Sequence, residues 1–225
     1  MYVATVDDGF IAGLNVEERD VLESLGRRRH FRSGQVLFTE GDEGRDVVVL
    51  LDGSVKVVTA APSGREVILE VIDAGQLVGE MSAIDGQPRS ATAVALTAVD
   101  VSVIPTPQFL SFLERHGSAA TALLRLVVAR LRHSSQRQLE FGTSDALGRL
   151  CACMLRMLDR YGGTDDRGRH VTMPLAQHEI AAMTGLSREA VVKGLRSLRA
   201  LGWIDLQARE LTVLDDAAMR SRATS

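Results

Sequence analysis

PLAQHEIAAMTGLSREAVVKGLRSLRAL, residues 174–201, is the stretch that decides how the C-terminal part of the chain folds. Gln177 to Thr184 has the spacing of a short amphipathic helix, with Ala181 small where a second helix must cross closely. Gly185 supplies a sharp turn, Leu186 packs into the angle, and Ser187 is an N-cap two residues before Glu189. The helix that follows, Arg188 to Leu201, buries Val191, Leu195 and Leu198 and points Arg188, Lys193, Arg196 and Arg199 outward. Cations on the exposed face of such a helix suit phosphates and guanine edges. The charges alone would equally suit a solvated face; the glycine turn, Ala181 and the Ser-Arg-Glu start favour a helix-turn-helix. Residues 202–206 and 211–214 then read as two strands joined by a turn, a wing.

Moving upstream, Gly162 to Asp166 reads as a polar loop, and Ala146 to Tyr161 as a helix. Gly142-Thr143-Ser144-Asp145 is a joint, a helix breaker followed by capping residues. Before it, Ala119 to Phe141 contains neither glycine nor proline, and Leu124, Val128, Leu131, Ser135 and Gln138 recur at steps of four and three. That is the seam spacing of paired helices, and the face opposite is rich in arginine. A helix packed on its own domain is the plainer alternative. The two cysteines, Cys151 and Cys153, are two apart on a helix and point to different faces, so they read as two small half-buried thiols in preference to a redox or metal pair. The lack of any other cysteine argues against an iron–sulfur sensor.

From Arg32 to about Pro105 the pattern changes. Short apolar runs, Val47 to Leu51, Val55 to Val58, Val67 to Ile72 and Val99 to Ile104, are bounded by turn residues, as in a compact antiparallel β domain. Glycines at 34, 41, 44, 53, 64, 75, 79 and 86 fall where tight corners would need positive φ. The fold class that results is α+β: an N-terminal antiparallel, jelly-roll-like β-roll, a long helix, and a C-terminal winged helix-turn-helix.

The chain has 225 residues, 45% of them apolar, which suits packed cores. Its N-terminus, Met1 to Asp8, has early acids and no basic flank, unlike a signal peptide, and no apolar run is long enough to span a membrane, so a cytoplasmic protein is expected. The formal charge of −3 is unevenly shared: residues 143–225 carry 12 Lys+Arg against 10 Asp+Glu, leaving 14 against 19 for the rest. The five histidines, His30, His116, His133, His170 and His178, form no recognisable triad or metal spacing, which argues against an enzyme.

One further string carries a resemblance. GEMSAIDGQPRSAT, residues 79–92, is similar to the phosphate-binding cassette of the cAMP receptor protein/fumarate-nitrate regulator (CRP/FNR) family, in which Gly-Glu opens a short helix and Arg-Ser-Ala closes it. Glycines 41, 53, 64, 75 and 79 fall at the family's spacing, and the resemblance covers nearly the whole chain. It implies a cyclic-nucleotide-binding β-roll over 1–118 with flanking helices, a dimerisation helix over 119–142, and a DNA-binding domain over 143–225. It implies cAMP as effector, no metal, and a ligand site of Gly79, Glu80, Met81, Ser82, Arg89 and Ser90. Arg89 would take the phosphate and Glu80 the ribose hydroxyl, although taken alone these two could form a structural ion pair. Counting along the dimer helix puts Ser134 and Ser135 where relatives contact the adenine. Gln177, Ser187, Arg188, Glu189 and Lys193 would contact DNA. The implied partners are a second copy, a near-palindromic duplex and RNA polymerase.

Three residues depart from the family pattern. Lys193 stands where a second base-reading arginine is usual, Gly194 where an apolar helix residue is usual, and Glu70 where cAMP binders commonly have a small hydroxyl. A regulator of this architecture that answers to another small molecule, or to none, is the alternative.

Overall fold

The computed structural model describes residues 9–62, 64–165 and 168–224. The reading of Met1 to Asp8, and that of Asp166 as loop, lie outside the described residues. The chain divides into two compact units, Met1–Arg130 and Leu131–Ser225.

In the first unit a 3-10 turn (Phe10–Gly13) and α1 (Val16–Leu25) precede β1 (Arg27–Phe31), β2 (Val36–Phe38), β3 (Asp46–Asp52), β4 (Ser54–Ala60), β5 (Glu66–Asp73) and β6 (Leu77–Val78). Then come α2 (Glu80–Asp85), β7 (Thr92–Ala95), β8 (Val99–Pro105), α3 (Thr106–Arg115) and the start of α4 (Gly117–Thr143). Two antiparallel four-stranded sheets, ordered β1-β8-β3-β6 and β2-β7-β4-β5, make the roll. Their inner faces share one core that includes Val48, Leu50, Val55, Ile72 and Val101. Helices α1, α3 and α4 cover the outer face of the first sheet, where Val47, Val49 and Ile104 meet Phe10, Phe109, Phe112 and Leu123. β3 is therefore apolar at consecutive positions because successive side chains enter different cores.

All four apolar runs became strands. The sheet region begins earlier than Arg32, because β1 already pairs with β8 from Arg27 opposite Val103. Four of its five residues are exposed, so this edge strand lacks the apolar signature by which the others are recognised. Seven of the eight corner glycines do have positive φ. Gly44 does not, and it is needed for closeness: a Cβ there would sit 2.3 Å from the Cβ of Ser82.

The start of helix α4 packs on its own domain, as the plainer reading has it. Ala119, Ala122, Leu123 and Leu126 are buried in the outer core, whereas Leu124 and Leu131 are 63% and 66% exposed and Val128 is also exposed. One face belongs to its own domain, and the Leu124-Val128-Leu131 stripe is left bare. The helix continues through Gly142 to Thr143, so the break falls at Ser144, and Asp145 caps the next helix by accepting from Gly148 N at 2.9 Å.

The second unit contains α5 (Ala146–Tyr161), β9 (Gly163–Asp165), β10 (Gly168–Thr172), α6 (Gln177–Thr184), α7 (Arg188–Ala200), β11 (Ile204–Gln207), β12 (Glu210–Val213) and α8 (Asp216–Ala223). The sheet order is β11-β12-β10-β9. This corrects the reading of Gly162 to Asp166 as a loop. Gly163, Thr164 and Asp165 pair with His170, Arg169 and Gly168, and all three are exposed, as residues of an edge strand are. α5, almost wholly buried along one side, is the centre on which the other helices pack. Cys151 and Cys153 lie inside it, and burial pushes each thiol up to about 11, which keeps both protonated and unreactive at neutral pH.

Gly194 has a packing reason. A Cβ there would stand 2.6 Å from Leu150 Cδ2 of α5, so α7 crosses α5 closely at this point. Gly194→Ala is expected to be nearly neutral, since its propensity gain of about 1 kcal/mol is offset by the shift forced on Leu150. Gly194→Leu is expected to lose about 1–3 kcal/mol by overpacking, read from urea unfolding midpoints. A leucine variant as stable as the parent would show that the crossing is loose.

Candidate functional site

In the first unit one buried guanidinium, that of Arg89, meets the glycine that opens α2. β6 ends at Val78; Gly79 takes φ +88° and lets the chain turn directly into α2, while a Cβ on it would lie 2.3 Å from Arg89 Nη1. Arg89 is 4% exposed. Its Nη1 donates to Gly79 O at 2.7 Å, and its Nη2 donates to Asp46 O at 2.7 Å and to Asp46 Oδ1 at 2.8 Å. The Phe38 ring covers one side of the guanidinium, 4.2 Å from the Arg89 Cζ. Arg89 Nε is buried and has no hydrogen-bond partner among the described residues. Burial lowers the pKa of Arg89 from its ordinary value, and the carboxylates of Asp46, Glu80 and Asp42 oppose that shift.

Glu80 is 3% exposed and is paired with Arg130 and not with Arg89. Arg130 Nη1 donates to Glu80 Oε1 at 2.5 Å and Nη2 to Leu77 O at 2.8 Å, while its Nε lies 3.4 Å from Glu70 Oε2. The simple ion pair allowed by the sequence is thus replaced by two separate ones, Arg89 with Asp46 and Arg130 with Glu80 and Glu70. Ser82 is buried under Gly44, and Met81 and Ser90 are exposed on either side of Arg89 in the sequence. A buried cation with an unused donor, beside a glycine that lets backbone approach it, fits a small anionic ligand.

Ser134 and Ser135 are not among the residues that the first unit brings together. They are exposed on α4 within the second unit, and Ser135 Oγ donates to Leu131 O at 3.0 Å. Sequence reasoning missed Asp46, Phe38 and Arg130. Arg130 left a trace: it follows Leu123 and Leu126 by seven and four residues, on the buried face of α4, where an arginine requires a buried acid.

In the second unit α6 and α7 are joined through Gly185, which has φ +66°. Ser187 Oγ accepts from Ala190 N at 3.1 Å and so starts α7. Arg188 and Glu189 are exposed in the first turn, Lys193 is exposed a turn further on, and Gln177 is exposed at the first position of α6. Val191, Leu195 and Leu198 are buried beneath them. The five DNA-directed residues therefore lie on the free surface of a two-helix element with a sheet beside it, β11 and β12 turning through Ala208 at φ +54°. Among the described residues no cluster of three His, Cys, Asp or Glu side chains is placed to hold a metal ion, and no helix is long and apolar enough to cross a membrane.

Residues 28–116 match the family described as cyclic nucleotide-binding domain, and residues 148–222 match the Crp-like helix-turn-helix domain. The chain is 30% identical over 193 residues to the CRP-like cAMP-activated global transcriptional regulator of Mycobacterium tuberculosis, covering 86% of each chain. It is 30% identical over 211 residues to the cyclic AMP receptor protein of Thermus thermophilus, covering 92% of this chain and 94% of that one. The solved structure of a CRP-family transcriptional regulator from Thermus thermophilus superposes with a TM-score of 0.72 at 28% identity, over 88% of this chain and 97% of that one.

Proposed function

Because the chain belongs to the CRP/FNR family of transcription regulators, we propose that its first unit binds a cyclic nucleotide, cAMP in the first instance, and that this ligand governs DNA binding by a homodimer. The observation that carries the reading is Arg89: a guanidinium almost wholly buried, its Nε without a partner among the described residues, in a stretch that matches the cyclic nucleotide-binding domain family. When bound, the nucleotide supplies a phosphate charge for Arg89 and a ribose hydroxyl for Glu80. Gly79, Met81, Ser82 and Ser90 complete the wall, and Ser134 and Ser135 are assigned to the base. The names of the two 30%-identical relatives support cAMP. The functional division is 1–118 for the ligand, 119–142 for dimerisation along Leu124, Val128 and Leu131, and 143–225 for DNA. RNA polymerase is the second macromolecular partner, and the cytoplasm the place of action.

Titration calorimetry with cAMP and cGMP tests the ligand. Binding of neither at concentrations below about millimolar, a free energy near 4 kcal/mol, would remove the main support. The alternative, a regulator with another signal or none, is favoured by Glu70, whose carboxylate shares Arg130 with Glu80. It predicts the same DNA affinity with and without cAMP.

For DNA, a twofold dimer is expected to bind a near-palindrome with half-sites about 34–36 Å apart. Arg188→Ala is expected to cost about 1–3 kcal/mol and to relax preference at one base pair, as loss of a base-reading fork does. Lys193→Ala separates two roles in a fluorescence-anisotropy series: changed base preference marks a reader, a uniform loss with a salt slope lower by about one marks a phosphate contact. If neither variant changed the affinity, α7 would present a different face to DNA.

A further inference from the structure

Arg89 is already matched by a carboxylate of its own chain. Asp46, the first residue of β3, places Oδ1 2.8 Å from Arg89 Nη2, and the Arg89 side chain is 2% exposed against 39% for Asp46. The neighbouring cation, Arg130, also faces carboxylates, those of Glu80 and Glu70, though its Nε too makes no hydrogen bond among the described residues. The described site thus sets two guanidinium groups against three paired carboxylates, before any anion arrives.

We propose that the Asp46 carboxylate is a built-in competitor for the anionic ligand, occupying the Arg89 donor that a phosphate oxygen would take, and that it sets the ligand concentration at which the pocket fills. The inference rests on the assignment of Arg89 as the phosphate cation. Two features make Asp46 a competitor and not a support. Arg89 does not depend on the carboxylate for its orientation, because the carbonyls of Gly79 and Asp46 each accept from it at 2.7 Å and Phe38 covers its face. The Asp46 side chain is also open to water, so it can turn outward and remain solvated when a phosphate replaces it. A phosphate offers Arg89 the same charge-assisted contact, and in addition reaches Nε, which none of the described residues satisfies.

The test compares the full-length protein with Asp46→Asn and Asp46→Ser by calorimetry and thermal shift, with cAMP, cGMP and inorganic phosphate as probes. Loss of one opposing charge at a charge-assisted contact is expected to tighten anion binding about tenfold or more in both variants. The gain should vanish when Arg89→Leu is added, because the contested donor is then gone. Equal or weaker binding by the folded variants would overturn the proposal and make Asp46 a positioning residue for Arg89. Failure of all three probes to bind either variant would overturn it as well. If phosphate binds the variants more tightly than the parent while neither nucleotide binds any form, the competitor stands and the nucleotide assignment falls.

Discussion

Arg89→Leu is expected to weaken cyclic-nucleotide binding by far more than tenfold. A charge-assisted contact to a buried anion is worth about 1.5–3 kcal/mol, and arginine can make more than one. The same substitution removes the donors to Gly79 O, Asp46 O and Asp46 Oδ1. Some loss of stability therefore accompanies it, about 1–3 kcal/mol for acceptors left without a partner, moderated because Asp46 can reach water. Binding and stability are separable by measuring calorimetric affinity well below the unfolding temperature of the variant. Arg89→Lys keeps the charge but not the fork, so it should recover stability better than affinity. A folded Arg89→Leu protein with parental affinity would move the phosphate elsewhere.

Leu131→Asp is expected to turn the dimer into monomers at micromolar concentration. Leu131 stands two-thirds exposed on α4, in line with Leu124 and Val128, while the opposite side of the helix is buried in its own domain. Covering such a leucine is worth about 1.5–3 kcal/mol per copy, and a symmetric interface would lose two and gain two facing carboxylates. Sedimentation equilibrium reads the outcome. A variant that stayed dimeric would place the seam on another surface, and Leu124→Asp would serve as the check along the same stripe.

How far the sequence revealed this molecule depended on the kind of signal. The two-helix element was legible to within one residue, since Ala181, Gly185 and Ser187 each encode a local requirement that nothing distant alters; only the end of α7, at Ala200 and not Leu201, differs. The four apolar runs were legible too, as β3, β4, β5 and β8. β1 and β9 were not, because an edge strand with exposed side chains has no periodic burial to report. Gly79, Glu80 and Arg89 were singled out in the sequence, but the partners of the two charged groups were not. Asp46 is 43 residues from Arg89 and Arg130 is 50 from Glu80, and no local pattern links such distant ionic groups. Gly194 was noticed as out of place; only the position of Leu150 explains why it is there.

The double burial of β3 leaves its alignment with the sheet poorly encoded. Sliding a strand by one residue normally puts apolar groups into water, and that penalty fixes the pairing. Here the slip would exchange Val47 and Val49 for Val48 and Leu50, one apolar set for another, so burial scarcely distinguishes the two. The information must lie at the ends. At one end the pairing with β8 shifts between Leu50 and Asp52, and at the other Asp46 is tied to Arg89 through both its carbonyl and its carboxylate. The contact of Asp46 with Arg89, through its carbonyl above all, thus helps to keep β3 in frame.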